Sequence, residues 1–274
     1  MHFLGYKPKK CILMMQRHCL IAKAISISRR ATRRHASVAI CQHWDVNARQ
    51  FARLLGAAVV TTWAAPLSVP ILVASASAAS CPDVEVTFAR ATNEPPGVGG
   101  VGQAFIDSLR SQVGGRSVGV YPVNYPATED WPPSASAGAS DASAHVQSMA
   151  ANCPNTRLVL GGYSQGAMVI DLITIGQAPV AGFIPASLPA DVADHVAAVA
   201  VFGNPTDRYL GGPISAISPW YGHKAIDLCA PGDPICSPGG LSLPSHDEVF
   251  SEAHLSYKQS GMPGQAATFV ASHL

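Results

Sequence analysis

The stretch Leu158–Ala167, LVLGGYSQGA, passes from a short apolar run into a serine flanked by glycines. Leu158–Tyr163 has the length and composition of a buried strand, and Ala167–Ile175 behind it reads as a helix. Between them, Gly162-Tyr163-Ser164-Gln165-Gly166 is a G-x-S-x-G. Glycine and serine are common, so the pattern alone says little. Its position between strand and helix gives it meaning. A sharp turn there needs glycine on either side and lifts the serine hydroxyl above the sheet, beside the free N–H groups of the helix start. The competing reading is an ordinary glycine-rich turn.

Working outward, Val84–Ala89 (VEVTFA) alternates like a strand, and Val101, Phe105, Leu109 and Val113 follow at helical spacing. Val118–Tyr121 reads as a short strand, 126–138 as a loop and Ser140–Ala151 as a helix. Val196–Phe202 and Ala225–Leu228 are two further strands, and Gln265–His273 is a closing amphipathic helix. Strands alternating with helices predict a parallel α/β sheet, and the apolar strand runs suit burial under helices on both faces.

The net charge of +1 conceals two unlike halves. Residues 1–80 hold eleven Lys/Arg and one acid, Asp45, whereas 81–274 hold seven Lys/Arg and sixteen Asp/Glu. The body is acidic and its basic residues are scattered, which argues against a nucleic-acid partner. Leu54–Ala79 carries no charge, follows Arg49 and Arg53, and ends in ASASAA. That is the pattern of a secretory signal peptide, with cleavage expected near Ala76–Ala79. A membrane anchor is the rival, but Pro66 and Pro70 in the middle and the small residues at the end favour cleavage. The domain reading is therefore a basic leader at 1–45, not translated or disordered, a signal peptide at 46–80, and a catalytic domain at 81–274. Translation is expected to begin around Val46. A secreted, extracellular protein follows, in contact with the cell envelope if it stays attached.

Beyond the leader, four cysteines remain: Cys81, Cys153, Cys229 and Cys236. An even count in a secreted chain reads as two disulfides, with three possible pairings. Cys229 and Cys236 bracket a tight loop containing proline and glycine, so local pairing is the simplest choice and leaves Cys81 with Cys153. A lipid-modified Cys81 is disfavoured, because Ala78-Ala79-Ser80 lacks the usual large aliphatic residue.

A serine needs a base held by an acid before it is a useful nucleophile. The histidines after Ser164 are His195, His223, His246, His254 and His273, and the acids include Asp207, Asp227, Asp233 and Asp247. Composition does not choose among them. Asp233 stands out, since it lies inside the Cys229–Cys236 ring between Pro231 and Pro234.

Three segments look familiar together. GGYSQGA (Gly161–Ala167), CAPGDPIC (Cys229–Cys236) and AHLSY (Ala253–Tyr257) resemble the cutinase family, particularly its actinobacterial branch. FARATNEPPGVG (Phe88–Gly99) is similar to the family's A-R-G-T/S-x-E segment, so the resemblance spans the whole of 81–274 in order. It implies a compact α/β-hydrolase with a five-stranded parallel sheet flanked by helices, no large lid, and disulfides Cys81–Cys153 and Cys229–Cys236. It also implies Ser164 as nucleophile, His254 as general base, Asp233 as orienting acid, and an oxyanion hole from the N–H groups of Thr92 and Gln165. Two departures stand out. Ala91 replaces the family's glycine, and a longer segment before His254 carries His246-Asp247, which makes His246 a rival base.

The implied reaction is hydrolysis of carboxylic esters with short to medium acyl chains through an acyl-enzyme, without cofactor or metal, by a monomer. A neutral base is required, so activity is expected to fall as pH drops through the ordinary imidazole range. Lipids and polyesters are the expected substrates. An apolar loop rim of Trp131, Pro132, Pro133, Ile217, Trp220, Tyr221, Leu241, Leu243, Val249 and Phe250 would meet acyl chains or a lipid interface. The alternatives are an acetylxylan-type carbohydrate esterase and a silent cell-envelope binding protein. Gly97-x-Gly99-x-x-Gly102 mimics a dinucleotide fingerprint, but no acid ends the next strand.

Overall fold

The computed structural model describes residues 80–209, 212–237 and 243–274. The leader and signal-peptide expectations, and Leu241, lie outside those residues. Strands β1 (Val84–Ala89), β2 (Val118–Pro122), β3 (Arg157–Tyr163), β4 (Val196–Phe202) and β5 (Ala225–Leu228) form one parallel sheet in the order β2-β1-β3-β4-β5. Each strand was legible from its β-branched or apolar run. The two-residue period divides their side chains between two cores. Leu158 and Leu160 face one, while Val84, Val86, Phe88 and Val159 face the other.

Helix α1 (Gly99–Gln112) covers the second face, where Phe105 meets Phe88 and Phe202 at ring distances of 6.2 and 6.1 Å. Helices α2 (Trp131–Asn152) and α3 (Gln165–Thr174) cover the first. Small residues on α2, among them Ala135, Gly138, Ala139 and Ala142, let it approach α3. A Cβ on Gly138 would stand 2.8 Å from Val169. Helix α2 corrects the sequence expectation: it begins at Trp131, not Ser140, and takes in most of the segment read as a loop. Its prolines, Pro132 and Pro133, sit in the first turn, where no intrahelical N–H is needed. Among the described residues there follow the short helices α4 (Thr206–Tyr209), α5 (Ile214–Ile217), α6 (His246–Val249) and α7 (Glu252–Leu255), and the final α8 (Met262–Ala271).

Disulfides Cys81–Cys153 and Cys229–Cys236 are formed, with Cα separations of 5.6 and 5.7 Å. The first ties the start of the domain to the end of α2. The second closes the loop after β5. The chain leaves β1 toward β2 on one side, and β3 pairs on the other. Such a switch point opens a crevice beyond the carboxyl ends of the two central strands. Thr92 follows β1 and Ser164 follows β3, so both stand at that crevice.

Candidate active site

Ser164 is the residue at which β3 turns into α3. Its φ of 58° and ψ of −119° are unusual for a side chain with a Cβ, and its N–H is held by the Phe202 carbonyl at 2.9 Å. The flanking glycines are sterically required. A Cβ on Gly162 would stand 2.2 Å from the Gly166 carbonyl oxygen, and one on Gly166 would stand 2.0 Å from that of Ala89.

A histidine reaches this serine from a distant part of the chain. His254 Nε2 lies 2.8 Å from Ser164 Oγ, and His254 Nδ1 lies 2.8 Å from Asp233 Oδ2. All three residues are buried. With the aspartate ionised, Nδ1–H donates to it and Nε2 is left to accept the serine proton. Asp233 Oδ2 also accepts from the Tyr257 hydroxyl at 2.6 Å, and Oδ1 from the Ile235 N–H at 2.8 Å. Burial by itself pushes the Asp233 carboxyl up. The hydrogen bond and charge of His254, with the donors Tyr257 and Ile235, outweigh it and hold the group below the ordinary carboxylate value.

Three positioning residues had no separate signal in the sequence. Tyr163, the variable residue of the serine motif, donates its hydroxyl to the His254 carbonyl. Tyr257, seen only as the last letter of AHLSY, accepts from the Ala230 N–H at 2.9 Å while donating to Asp233. Gly203 has a φ of +54°, and a Cβ there would stand 2.9 Å from His254 Cε1 and 3.2 Å from Asp233 Oδ2. It keeps open the space that the imidazole and carboxylate share.

Thr92 and Gln165 lie beside Ser164 in one cleft. As the first residue of α3, Gln165 has no intrahelical acceptor for its N–H. The Thr92 loop is held by charge-assisted bonds. Arg90 donates to the Glu94 and Tyr125 carbonyls at 2.8 and 2.7 Å, and the Glu94 carboxylate accepts from Ala91 and Gly100 N–H at 2.8 and 2.7 Å. Ala91 keeps a negative φ, so alanine fits where the resemblance placed glycine. Gly99 leaves room for the Glu94 carboxylate and Gly102 for the Phe88 ring, which gives the G-x-G-x-x-G a packing role.

The cutinase model matches residues 80–274. This chain belongs to the cutinase family. It is 51% identical over 231 residues to the carboxylesterase Culp1 of Mycobacterium tuberculosis, covering 82% of this chain and 97% of that one. It is 50% identical over 227 residues to the phospholipase Culp4 of the same organism, covering 83% and 93%. Among solved structures it resembles the Trichoderma reesei cutinase in complex with a phosphonate inhibitor, at 33% identity and a TM-score of 0.55, over 70% of this chain and 77% of that chain.

The other histidines of this cutinase-family domain stand apart from Ser164. His246 is exposed on α6 beside Asp247, at 3.6 Å. His195 ends the turn before β4, His223 lies in a turn before β5, and His273 bonds the Phe269 carbonyl near the chain end. The apolar rim is only partly assembled. Trp131, Leu243 and Val249 line the Gln165 cleft, and Phe250 lines a second cleft at Ser164. Ile217 and Trp220 are exposed but line neither, and Tyr221 is buried. Apolar character marks burial or a rim equally well, and only the folded packing separates them.

Proposed function

We propose that this carboxylic ester hydrolase works through an acyl-enzyme on Ser164, with His254 as general base, Asp233 as its orienting acid and the N–H groups of Thr92 and Gln165 as the oxyanion hole. The single observation that carries this is the unbroken line from Ser164 Oγ to His254 to Asp233, at 2.8 Å in each link. Ser164 Oγ attacks the ester carbonyl carbon as its proton passes to His254 Nε2. The tetrahedral oxyanion forms against the two N–H groups. The ester C–O bond then breaks and the alcohol leaves with the proton from His254. Water, deprotonated by the same nitrogen, releases the acid.

The Gln165 cleft is walled by Trp131, Met168, Phe183, Ile235 and Leu243. Such walls suit a short to medium acyl chain and offer a sugar little to bond. The complex of the similar Trichoderma reesei cutinase with a phosphonate inhibitor supports this reading. Two disulfides and the uncharged Leu54–Ala79 support export into an oxidising compartment.

The test uses the oxidised protein on p-nitrophenyl esters from acetate to dodecanoate. Turnover should peak between butyrate and octanoate, and Ser164→Ala should lower it by at least about 10³-fold. A fluorophosphonate should label Ser164 stoichiometrically. A folded protein that is neither labelled nor slowed by Ser164→Ala refutes the assignment and leaves the binding-protein alternative.

A further inference from the structure

Two clefts meet at Ser164, and they differ in which part of the catalytic line they touch. The first is lined by Gln165 and not by His254. The second is lined by His254, Tyr163, Phe250, Leu255 and Lys258. The leaving oxygen must take its proton from His254 Nε2. The alcohol half of the ester therefore departs on the His254 side, and the apolar cleft on the Gln165 side keeps the acyl half.

The alcohol cleft holds an uncommitted cation. Residues 81–274 contain only seven Lys/Arg against sixteen acids. Lys258 is exposed at this cleft and, among the described residues, makes no ion pair or side-chain hydrogen bond. Its stem runs over the start of α1, where a Cβ on Gly100 would stand 3.4 Å from Lys258 Cδ. Glu94 lines the same cleft, but each of its oxygens already accepts a backbone N–H. Lys258 follows Tyr257 directly, so the residue that holds Asp233 also anchors the lysine beside the leaving group.

We infer that the His254-side cleft is the alcohol subsite and that Lys258 selects esters whose alcohol carries a phosphate, as the glycerol of a phospholipid does. This rests on the acyl-enzyme reading above. A phosphodiester next to the scissile ester meets the ammonium as an exposed charge pair, and the apolar cleft takes the fatty acyl chain.

The experiment compares kcat/KM for two soluble dibutyryl glycerides with the same esters, one neutral and one bearing a phosphoglycerol headgroup, both below their aggregation limits. Lys258→Ala should lower the anionic-to-neutral ratio about fivefold, the size of one exposed charge pair. Lys258→Glu should lower it further, and Lys258→Arg should keep it. The wild-type ratio should also shrink as salt screens the pair. An unchanged ratio in the alanine and glutamate variants overturns the assignment. If the wild type turns over neither glyceride nor p-nitrophenyl butyrate, the acyl-enzyme reading itself has failed.

Discussion

In the proposed mechanism the reactivity of Ser164 depends on residues that never touch the substrate. Tyr257 is the clearest case. Its hydroxyl donates to the same Asp233 oxygen that accepts from His254, at 2.6 Å. Burial, first, and the bond to Asp233 raise the phenol far above its ordinary value, so it stays a donor across the working range. Tyr257→Phe leaves the ring in place and removes one donor from the carboxylate. A carboxylate with fewer donors holds the imidazolium proton more tightly. The acidic limb of the kcat/KM profile should therefore move to higher pH, with a severalfold loss of kcat at neutral pH. A lower kcat with an unmoved limb would mean that Tyr257 only packs. AHLSY was quoted in the sequence for its histidine. Nothing in the letters says that its tyrosine turns back under Asp233, because that contact joins two loops 24 residues apart.

Elements hold the walls of the Gln165 cleft. Helix α6 is a single turn, too short to persist on local hydrogen bonding alone. It is kept by its capping box. Ser245 accepts from Glu248 N–H at 3.3 Å, and the Glu248 carboxylate accepts from Ser245 N–H at 2.8 Å. The same carboxylate pairs with Arg208 at 2.8 Å, and Arg208 also donates to the Pro234 carbonyl. Val249, at the end of this turn, lines both clefts. Losing an N-cap costs about 1 kcal/mol. Ser245→Ala should therefore speed amide exchange at Val249 and Phe250, whose N–H groups bond the Ser245 and His246 carbonyls, about fivefold. Unchanged exchange would show that Arg208 alone carries the turn. The S-x-x-E signature at Ser245–Glu248 was present in the sequence. Its partner Arg208 was not identifiable, being 40 residues away.

Across the molecule, carboxylates are displaced in opposite directions. Backbone and side-chain hydrogen bonds from Ser245, with Arg208, bring Glu248 down to about 2, and bonds from Ser117 lower Asp83. Asp233 is lowered as described. Such groups stabilise the fold above the ordinary carboxylate value, and that contribution is lost as pH falls through their lowered values. Asp207 behaves in reverse. Burial, then the charge of Asp227, raises it to about 7, and burial raises Asp171 well above its ordinary value. A raised carboxyl favours the fold below its unfolded value, and that contribution is lost as pH rises toward 7. Thermal stability should therefore be greatest near pH 4 to 5 and decline toward neutrality. Asp207→Asn, which keeps the neutral shape, should flatten the decline. A variant whose Tm still falls in parallel with the wild type between pH 5 and 8 would remove Asp207 from this account.

The sequence alone determined the strands, the α/β alternation, the turn at Ser164 and the cysteines available to pair. Those features are local: a β-branched run, a period of two, or glycine on either side of a serine states its own physics. The family likeness of GGYSQGA, CAPGDPIC and AHLSY added long-range order that spacing by itself did not contain. Only the tertiary structure decided which apolar loop residues make clefts and which are packed away, that α2 begins at Trp131, and that Gly203, Tyr163 and Tyr257 frame the imidazole. It alone shows two clefts meeting at Ser164, one touching Gln165 and the other touching His254 and Lys258. The physical reason is that a buried polar group is satisfied by whatever the fold brings within 3 Å. For Ser164, His254 and Asp233, those partners lie 90 and 21 residues away along the chain.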